Sequence, residues 1–195
     1  MIKRVLDLLL VLVSSPFWIP IMIILAILVK LTSQGPILFK QKRVGIHKSH
    51  FYMLKFRTMK IDTPKDVPTH MLTNPEQYIT KLGRFLRKSS LDEIPQILNI
   101  LVGKMSIIGP RPALWNQYDL IEERDKYGTN SIRPGLTGWA QINGRDELPI
   151  EVKARYDGEY RTRMSFLFDF RIFWLTIRSV FKSEGVVEGS SGGRE

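Results

Sequence analysis

Leu8-Leu-Leu-Val-Leu-Val-Ser14-Ser15-Pro16-Phe-Trp-Ile-Pro20-Ile-Met-Ile-Ile-Leu-Ala-Ile-Leu-Val29 is an uncharged run of 22 residues. At ~1.5 Å per residue a straight helix of that length reaches roughly the ~30 Å of a bilayer core, so the segment reads as a membrane element. It is longer than an ordinary signal-peptide h-region and no A-x-A-like site follows it, so the anchor is expected to persist in the mature protein. Ser14-Ser15-Pro16 falls near the middle of the run and Pro20 follows one turn later. Each proline removes an N–H and its ring clashes with a preceding carbonyl, so a bend is expected where a straight helix would lie deepest. Lys3 and Arg4 precede the run and Lys30, Lys40, Lys42, Arg43 and Lys48 follow it, which leaves the positive-inside rule no outer end to choose. Two readings fit these residues equally: a helix that enters, breaks at Ser15-Pro16 and returns to the same face, or a bitopic helix with a tolerated kink. In the first, serine hydroxyls bond the carbonyls that the break frees.

The whole chain has 195 residues, enough for one catalytic domain beside that anchor. Its net charge of +10 calls for an anionic partner, whether nucleic acid, phospholipid headgroups or a phosphorylated substrate. The absence of cysteine excludes disulfides and thiolate metal sites. His47, His50 and His70 lie in polar sequence without the spacing of a zinc site and read as exposed spectators. Beyond the Gly35-Pro36 turn signal, strand-like runs appear at 37–39 and 51–54, and residues 61–75 read as a surface loop able to serve as a lid. Helices are expected at 76–88, 91–103, 113–127 and 150–161. Residues 166–182 interleave aromatics with Arg171, Arg178 and Lys182, as an in-plane interfacial helix does or as a core helix with snorkelling arginines does. The fold class is therefore α/β-mixed and helix-rich.

The polar motifs point to phosphate. Ser90-Leu91-Asp92-Glu93 has the S-x-x-E spacing of a capping box, which puts adjacent carboxylates in the first turn of a helix, where Asp92 is expected to stay ionised. Taken alone, these residues read more simply as a helix cap. Gly109-Pro110-Arg111-Pro112 holds an arginine between prolines whose fixed φ angles stiffen the backbone, so its guanidinium loses little entropy on meeting an oxyanion. Arg133 and Arg145 end a glycine-rich turn that also carries Trp139, Gln141 and Asn143, suitable parts for a nucleotide diphosphate pocket. Lys55 and Arg57 alternate along a strand and so share one face. Each station alone reads as a surface turn or a salt-bridged arginine. Together with Asp92-Glu93 and a lipid-facing anchor they favour a phosphate-handling membrane enzyme over nucleic-acid binding, for which no motif appears.

Lys3-Arg4-Val5-Leu6-Asp7, Ser15-Pro16, Lys55-Phe56-Arg57-Thr58-Met59, Ser90-Leu91-Asp92-Glu93, Gly109-Pro110-Arg111-Pro112 and Arg133-Pro-Gly-Leu-Thr-Gly-Trp-Ala-Gln141 occur in this order. On these six motifs, over residues 2 to about 187, the chain resembles the bacterial sugar transferase family, the monotopic phosphoglycosyl transferases. It looks like their minimal form, without the extra membrane helices and sensor-like domain of larger members. Arg111-Pro-Ala-Leu-Trp-Asn-Gln-Tyr118 and Ser183-Glu-Gly185 further resemble the capsular-polysaccharide sugar transferases of Gram-positive bacteria.

The resemblance implies transfer of a phospho-sugar from a UDP-sugar to polyprenyl (undecaprenyl) phosphate at the cytoplasmic face of the bacterial plasma membrane. UMP is released and a polyprenyl-diphosphate-linked sugar forms, initiating capsule, O-antigen or other glycoconjugate synthesis. The resemblance also implies Asp92 as a nucleophile that forms a covalent phospho-sugar aspartate in a ping-pong sequence, with Glu93 assisting and Mg²⁺ held by Asp92 and Glu93. Arg87, Arg111, Arg133 and Arg145 become phosphate ligands, and Lys55, Arg57 and Gln141 further substrate contacts. The same-face hairpin is favoured over the bitopic helix. The chain then divides into a re-entrant membrane helix at 1–34, broken at Ser15 and Pro16, a small cytosolic catalytic domain with interfacial amphipathic helices at 35–187, and a flexible tail or cloning remnant at 188–195. UDP-sugar, polyprenyl phosphate and phospholipid are the implied partners, a homodimer is compatible with the reading, and nucleic acid is not expected. Two rival classes differ in what they would release or tolerate: a hydrolase of lipid-linked diphosphates would liberate inorganic phosphate in place of UMP, and a non-enzymatic membrane scaffold would survive loss of Asp92. No motif identifies the sugar.

Overall fold

The computed structural model describes residues 2–63, 75–144 and 148–182; Arg145, His70, most of the expected 61–75 loop, Ser183-Glu-Gly185 and the 188–195 tail lie outside them. The apolar run forms two helices, α1 (Ile2–Val13) and α2 (Ser15–Thr32), with Ser14 the single residue between them. The break therefore falls one residue before Ser15-Pro16. Those two residues open α2, where the missing proline N–H is one of the donors that a helix start leaves unpaired in any case. Pro20 lies inside α2. Carbonyls freed at the end of α1 find local donors: Ser14 Oγ reaches Leu10 O at 2.6 Å and Val11 O at 3.2 Å, and Trp18 Nε1 donates to Val11 O at 2.9 Å. An unpaired carbonyl in apolar surroundings would cost about 2–7 kcal/mol, so these bonds are what make a sharp break tolerable here. The expected serine role falls to Ser14.

The globular part begins with an antiparallel hairpin of β1 (Leu38–Val44) and β2 (His50–Phe56), paired from Leu38 opposite Phe56 to Val44 opposite His50. Helix α3 (Lys81–Lys88) follows, capped by Thr80, whose hydroxyl accepts from Gly83 N. A one-turn 3-10 helix at Leu91–Glu93 precedes α4 (Gln96–Leu101). Two three-residue strands, β3 (Ser106–Ile108) and β4 (Gly135–Thr137), pair in parallel across the intervening α5 (Tyr118–Lys126). The chain then runs through α6 (Trp139–Ile142), α7 (Ile150–Arg163) and α8 (Phe166–Lys182). The class is helix-rich and mixed α/β, as expected. Boundaries differ where tertiary contacts intervene. The 113–127 helix starts at Tyr118 because Leu114 is held extended against Arg43 of β1. Residues 133–145 do not form an open glycine-rich turn: 135–137 is a strand that lies so close to its partner that a Cβ on Gly135 would sit 2.1 Å from Gly109 N.

Both N-terminal helices dock on this one unit. From α1, Arg4 donates to Ile100 O at 2.6 Å and Leu101 O at 3.0 Å, placing a cation on the carbonyl end of α4. Asp7, buried, accepts from Ser106 Oγ at 2.7 Å and Ile107 N at 3.2 Å, and Val11 packs with Phe51, Met53, Ile100 and Met105. From α2, Leu25 and Val29 pack with Phe56 and Leu86. The outward faces of both helices, including Leu9, Leu12, Val13, Phe17, Ile23 and Ile27, stay exposed. Helix α8 has one buried and one exposed apolar side, the first as expected of a core helix. Phe168 and Ile172 are buried with Ile108 and Tyr160, while Phe166, Leu167, Phe170 and Trp174 face outward.

Asp7 supplies a direct test of how α1 is tied down. Asp7→Ala leaves the Ser106 hydroxyl and the Ile107 amide without this acceptor, which should cost about 1–3 kcal/mol and lower Tm of the detergent-solubilised protein by roughly 2–8 °C. Asp7→Asn keeps an acceptor and should lose less.

Candidate active site

Local sequence carries the two carboxylates inward. At the end of α3 the Ser89 hydroxyl donates to Phe85 O at 2.8 Å, and Ser90 then takes a left-handed conformation (φ 57°) that reverses the chain. This corrects the capping-box expectation: Ser90 makes no side-chain cap bond, and Glu93 N pairs with its backbone carbonyl at 3.2 Å. Pro95 also divides the expected 91–103 helix into the 3-10 turn and the shorter α4. Leu91 and Ile94 pack against the Leu25, Val29, Phe56 and Leu86 cluster, and Pro95 is fully buried. Their burial pulls Asp92 and Glu93 down to 7% and 9% exposure.

Cations meet them from two distant segments. Lys55, near the end of β2, places Nζ 2.7 Å from Glu93 Oε1 and 3.9 Å from Asp92 Oδ2, so it bonds the first and screens the second. Arg111 donates from Nη2 to the same Glu93 oxygen at 3.2 Å. Asn99 on α4 sets the approach of β2, accepting from Leu54 N at 3.0 Å and donating to Tyr52 O at 2.9 Å. Its amide thus takes the place of a neighbouring strand and fixes the Lys55 strand against the helix that the carboxylates precede.

Burial pushes the Asp92 carboxyl above its ordinary range; Lys55 opposes this most, Glu93 adds to it, and Arg87 and Arg111 oppose it more weakly. Burial thus works against the ionised state expected for Asp92. Its anion is opposed by desolvation and sustained by Lys55, Arg87 and Arg111.

Other candidate residues take different places. Arg57 lies just past β2 and points its buried guanidinium at the Pro36 carbonyl and at Ser33, with Nη2 2.7 Å from both Ser33 O and Ser33 Oγ. It braces the linker after α2 and does not share the Lys55 contact. Arg133 donates from Nε to Gly103 O at 3.0 Å, beyond the C-terminal end of α4, opposite the end that follows Asp92. Gln141 donates to Leu136 O at 3.2 Å, and its buried Oε1 has no partner among the described residues. From sequence alone, Asn99 and Arg124 have no assigned role and Arg43 has only that of a basic flank. An asparagine inside a helix, where its propensity is poor, was the available signal for the first.

The bacterial sugar transferase profile matches residues 1–183. The chain is 42% identical over 158 residues to the uncharacterized sugar transferase EpsL of Bacillus subtilis (strain 168), covering 81% of this chain and 76% of that one. It is 39% identical over 185 residues to the UDP-glucose:undecaprenyl-phosphate glucose-1-phosphate transferase of Escherichia coli (strain K12), covering 91% of this chain and 39% of that protein. It is 33% identical over 192 residues to the UDP-N-acetylgalactosamine-undecaprenyl-phosphate N-acetylgalactosaminephosphotransferase of Aeromonas hydrophila, covering 94% of this chain and 44% of that protein. The chain thus spans less than half the length of the last two.

The electrostatics of Asp92 have a measurable sign. A carboxyl whose folded-state pKa lies above its unfolded value favours the fold most at low pH, and that contribution is lost as pH rises through the folded value. At neutral pH Asp92→Asn should therefore leave Tm equal to or above wild type in chelator-treated, substrate-free detergent solution, with the gap closing as pH falls through the carboxylate range. A lower Tm for the variant at neutral pH would mean that the surrounding cations outweigh burial.

Proposed function

Because the chain belongs to the bacterial sugar transferase family, we propose that it moves a phospho-sugar from a UDP-sugar to polyprenyl phosphate in two displacements at Asp92. The carrying observation is a buried carboxylate pair met by cations: Lys55 and Arg111 converge on Glu93, while Lys55, Arg87 and Arg111 act on Asp92. In the first displacement an Asp92 oxygen attacks the β-phosphorus of the UDP-sugar, the bond to the bridging oxygen breaks, and UMP leaves with the electron pair. In the second an oxygen of polyprenyl phosphate attacks the same phosphorus and the Asp92 carboxylate departs. Charge balances without an added oxidant, reductant or water. Lys55 ties up Glu93 and screens Asp92, while Arg87 and Arg111 are placed to neutralise phosphate oxygens in a site of low dielectric, where such donors are worth most. Arg57 and Arg133, engaged with backbone carbonyls, serve the scaffold in this reading.

The donor set suits Mg²⁺. Among the described residues no group of three or more His, Cys, Asp or Glu side chains could hold a metal. Mg²⁺, however, ordinarily takes one or two carboxylates and completes its shell with substrate phosphates and water, and Asp92 and Glu93 supply those hard oxygens. Bound there, it would neutralise diphosphate charge.

A lipid phosphate acceptor requires the site at headgroup depth. Helix α2 is by length and composition able to cross a bilayer. Re-entry is supported by the docking of Arg4, Asp7 and Val11 on one limb and of Leu25 and Val29 on the other against a single globular unit. The exposed apolar side of α8 would rest in the same interface. Basic flanks on both limbs favour the cytoplasmic side. The relatives differ in the sugar they are named for, so the sugar here awaits a panel of UDP-sugars.

With the matching UDP-sugar and Mg²⁺ but no lipid acceptor, about one UMP per active site should appear, and the peptide containing Asp92 should gain the mass of one phospho-sugar. Asp92→Asn should abolish both. Strict dependence of UMP release on the acceptor, with intersecting initial-rate lines, would overturn the covalent route. For the hairpin, single cysteines at Ile2 and Gln34, both exposed in a chain without cysteine, should react with an impermeant thiol reagent in inverted vesicles and not in intact cells. Labelling of the two from opposite sides would establish a spanning helix.

A further inference from the structure

The Gly109-Pro110-Arg111-Pro112-Ala113 segment is poor in donors, since neither proline has an N–H. Gly109 N donates to Thr137 O at 2.8 Å, and beyond it the segment is held by its carbonyls. Pro110 O accepts from Gly135 N at 2.9 Å, Arg111 O from Arg124 Nη2 at 3.0 Å, Pro112 O from Arg43 Nη1 at 2.9 Å, and Ala113 O from Val44 N at 3.0 Å. Arg124 is the most deeply placed of these donors to Arg111 and its neighbours that is a side chain. It is 4% exposed, and its Nε and Nη2 lie 2.9 and 2.6 Å from Oδ2 of Asp157, itself 1% exposed.

Such a pair is a poor way to join α5 to α7. Desolvating two charges that completely commonly costs as much as their attraction returns, and apolar side chains of similar volume would pack the helices as well. They would lack one capacity, donation of a hydrogen bond to a carbonyl. The carbonyl that Arg124 takes belongs to Arg111, whose guanidinium is the group on Glu93. With φ fixed at Pro112, and Arg111 confined to extended backbone because a proline follows it, pinning this carbonyl fixes the direction in which the Arg111 side chain leaves the loop.

We propose that the Arg124–Asp157 pair is a positioning device that aims Arg111 at the carboxylate pair by gripping its backbone carbonyl. Asp157 orients the Arg124 fork so that Nη2 serves both the carboxylate and the loop. The proposal rests on the functional reading above only in that Arg111 is then a phosphate ligand.

The test is a mutant cycle read as kcat/KM for UMP release with UDP-sugar and polyprenyl phosphate. Arg124→Gln should lower it roughly 10- to 100-fold, the scale expected when a catalytic group is displaced by about an ångström. In an Arg111→Ala background the same substitution should add less than about threefold, because a residue acting through Arg111 has nothing left to position. An equal loss in both backgrounds would overturn the proposal and leave the pair as a helix tie. If Arg124→Gln fails to fold because Asp157 is left as a lone buried charge, Arg124→Gln with Asp157→Asn removes that charge and enters the same cycle. A second readout needs no activity. In this cysteine-free chain, Arg111→Cys carries the only thiol, and its maleimide labelling rate should rise at least about fivefold when Arg124→Gln is added, while a control thiol at exposed Tyr52 does not change. An unchanged rate at position 111 in folded protein refutes the positioning role. If no UDP-sugar yields UMP with the wild-type protein, the functional reading fails while this labelling still decides the proposal.

Discussion

A carboxylate pair held below a tenth exposed keeps its charge only where cations reach it, and the meeting of those cations organises the molecule around Asp92 and Glu93. Arg87 is close in sequence, but the two cations that bond Glu93 are not. Lys55 arrives on a strand and Arg111 in a loop between two prolines, so β2 and the Gly109–Ala113 segment must both be fixed relative to the Leu91–Glu93 turn. Asn99 does this for the strand. Backbone and arginine donors do it for the loop, one carbonyl at a time. The cost of leaving either carboxylate unmet makes these contacts interdependent, because a shift of any one of the three segments exposes charge to a low dielectric.

Helix α4 joins this cluster to the two apolar N-terminal helices. Its amino end follows Glu93 and Pro95, and its carbonyl end receives the Arg4 cation from α1. Between them Ile100 packs on Val11, and Ile97 lies against the same cluster beside Trp18. Acid at one end and base at the other suit the helix dipole. Leu91 and Ile94, on either side of the carboxylates, pack in one cluster with Leu25 and Val29 of α2. On the proposed reading that contact sets the depth of Asp92 relative to the lipid surface. The break at Ser14 then serves this geometry, since a straight helix would carry Arg4 and Asp7 away from the unit on which Leu25 and Val29 are docked.

Helix α8 shows why an aromatic-rich segment resisted assignment to either core or interface. A helix has more than one face, and here Phe168 and Ile172 complete the core under Tyr160 while Phe166, Phe170 and Trp174 remain outside. Arg171 lies over the Trp139 ring and Arg163 over Phe168, so cations border both faces.

The sequence by itself determined the apolar N-terminal element and its bend, the helix-rich mixed class, the adjacency of Asp92 and Glu93, and the stiff backbone on either side of Arg111. These are properties of local residue type: prolines fix φ wherever they fall, an uncharged run of that length prefers an apolar environment, and adjacent carboxylates share one location. Tertiary structure alone decided which of the other cations join the centre. Lys55 and Arg57 are two residues apart, yet one meets Glu93 and the other is spent on Ser33 and the Pro36 carbonyl, because β2 ends between them. Arg133 donates to Gly103 O beyond the far end of α4, because residues 135–137 pair with β3 and do not form an open turn. The conformation of Ser90 was likewise undecided by its S-x-x-E spacing, since the burial of Leu91, Ile94 and Pro95 overrides a capping bond of about 1 kcal/mol. Spacing reports which side chains can meet within one element. Which charges meet across elements depends on strand ends and packing, and those are fixed only when the whole chain closes on its core.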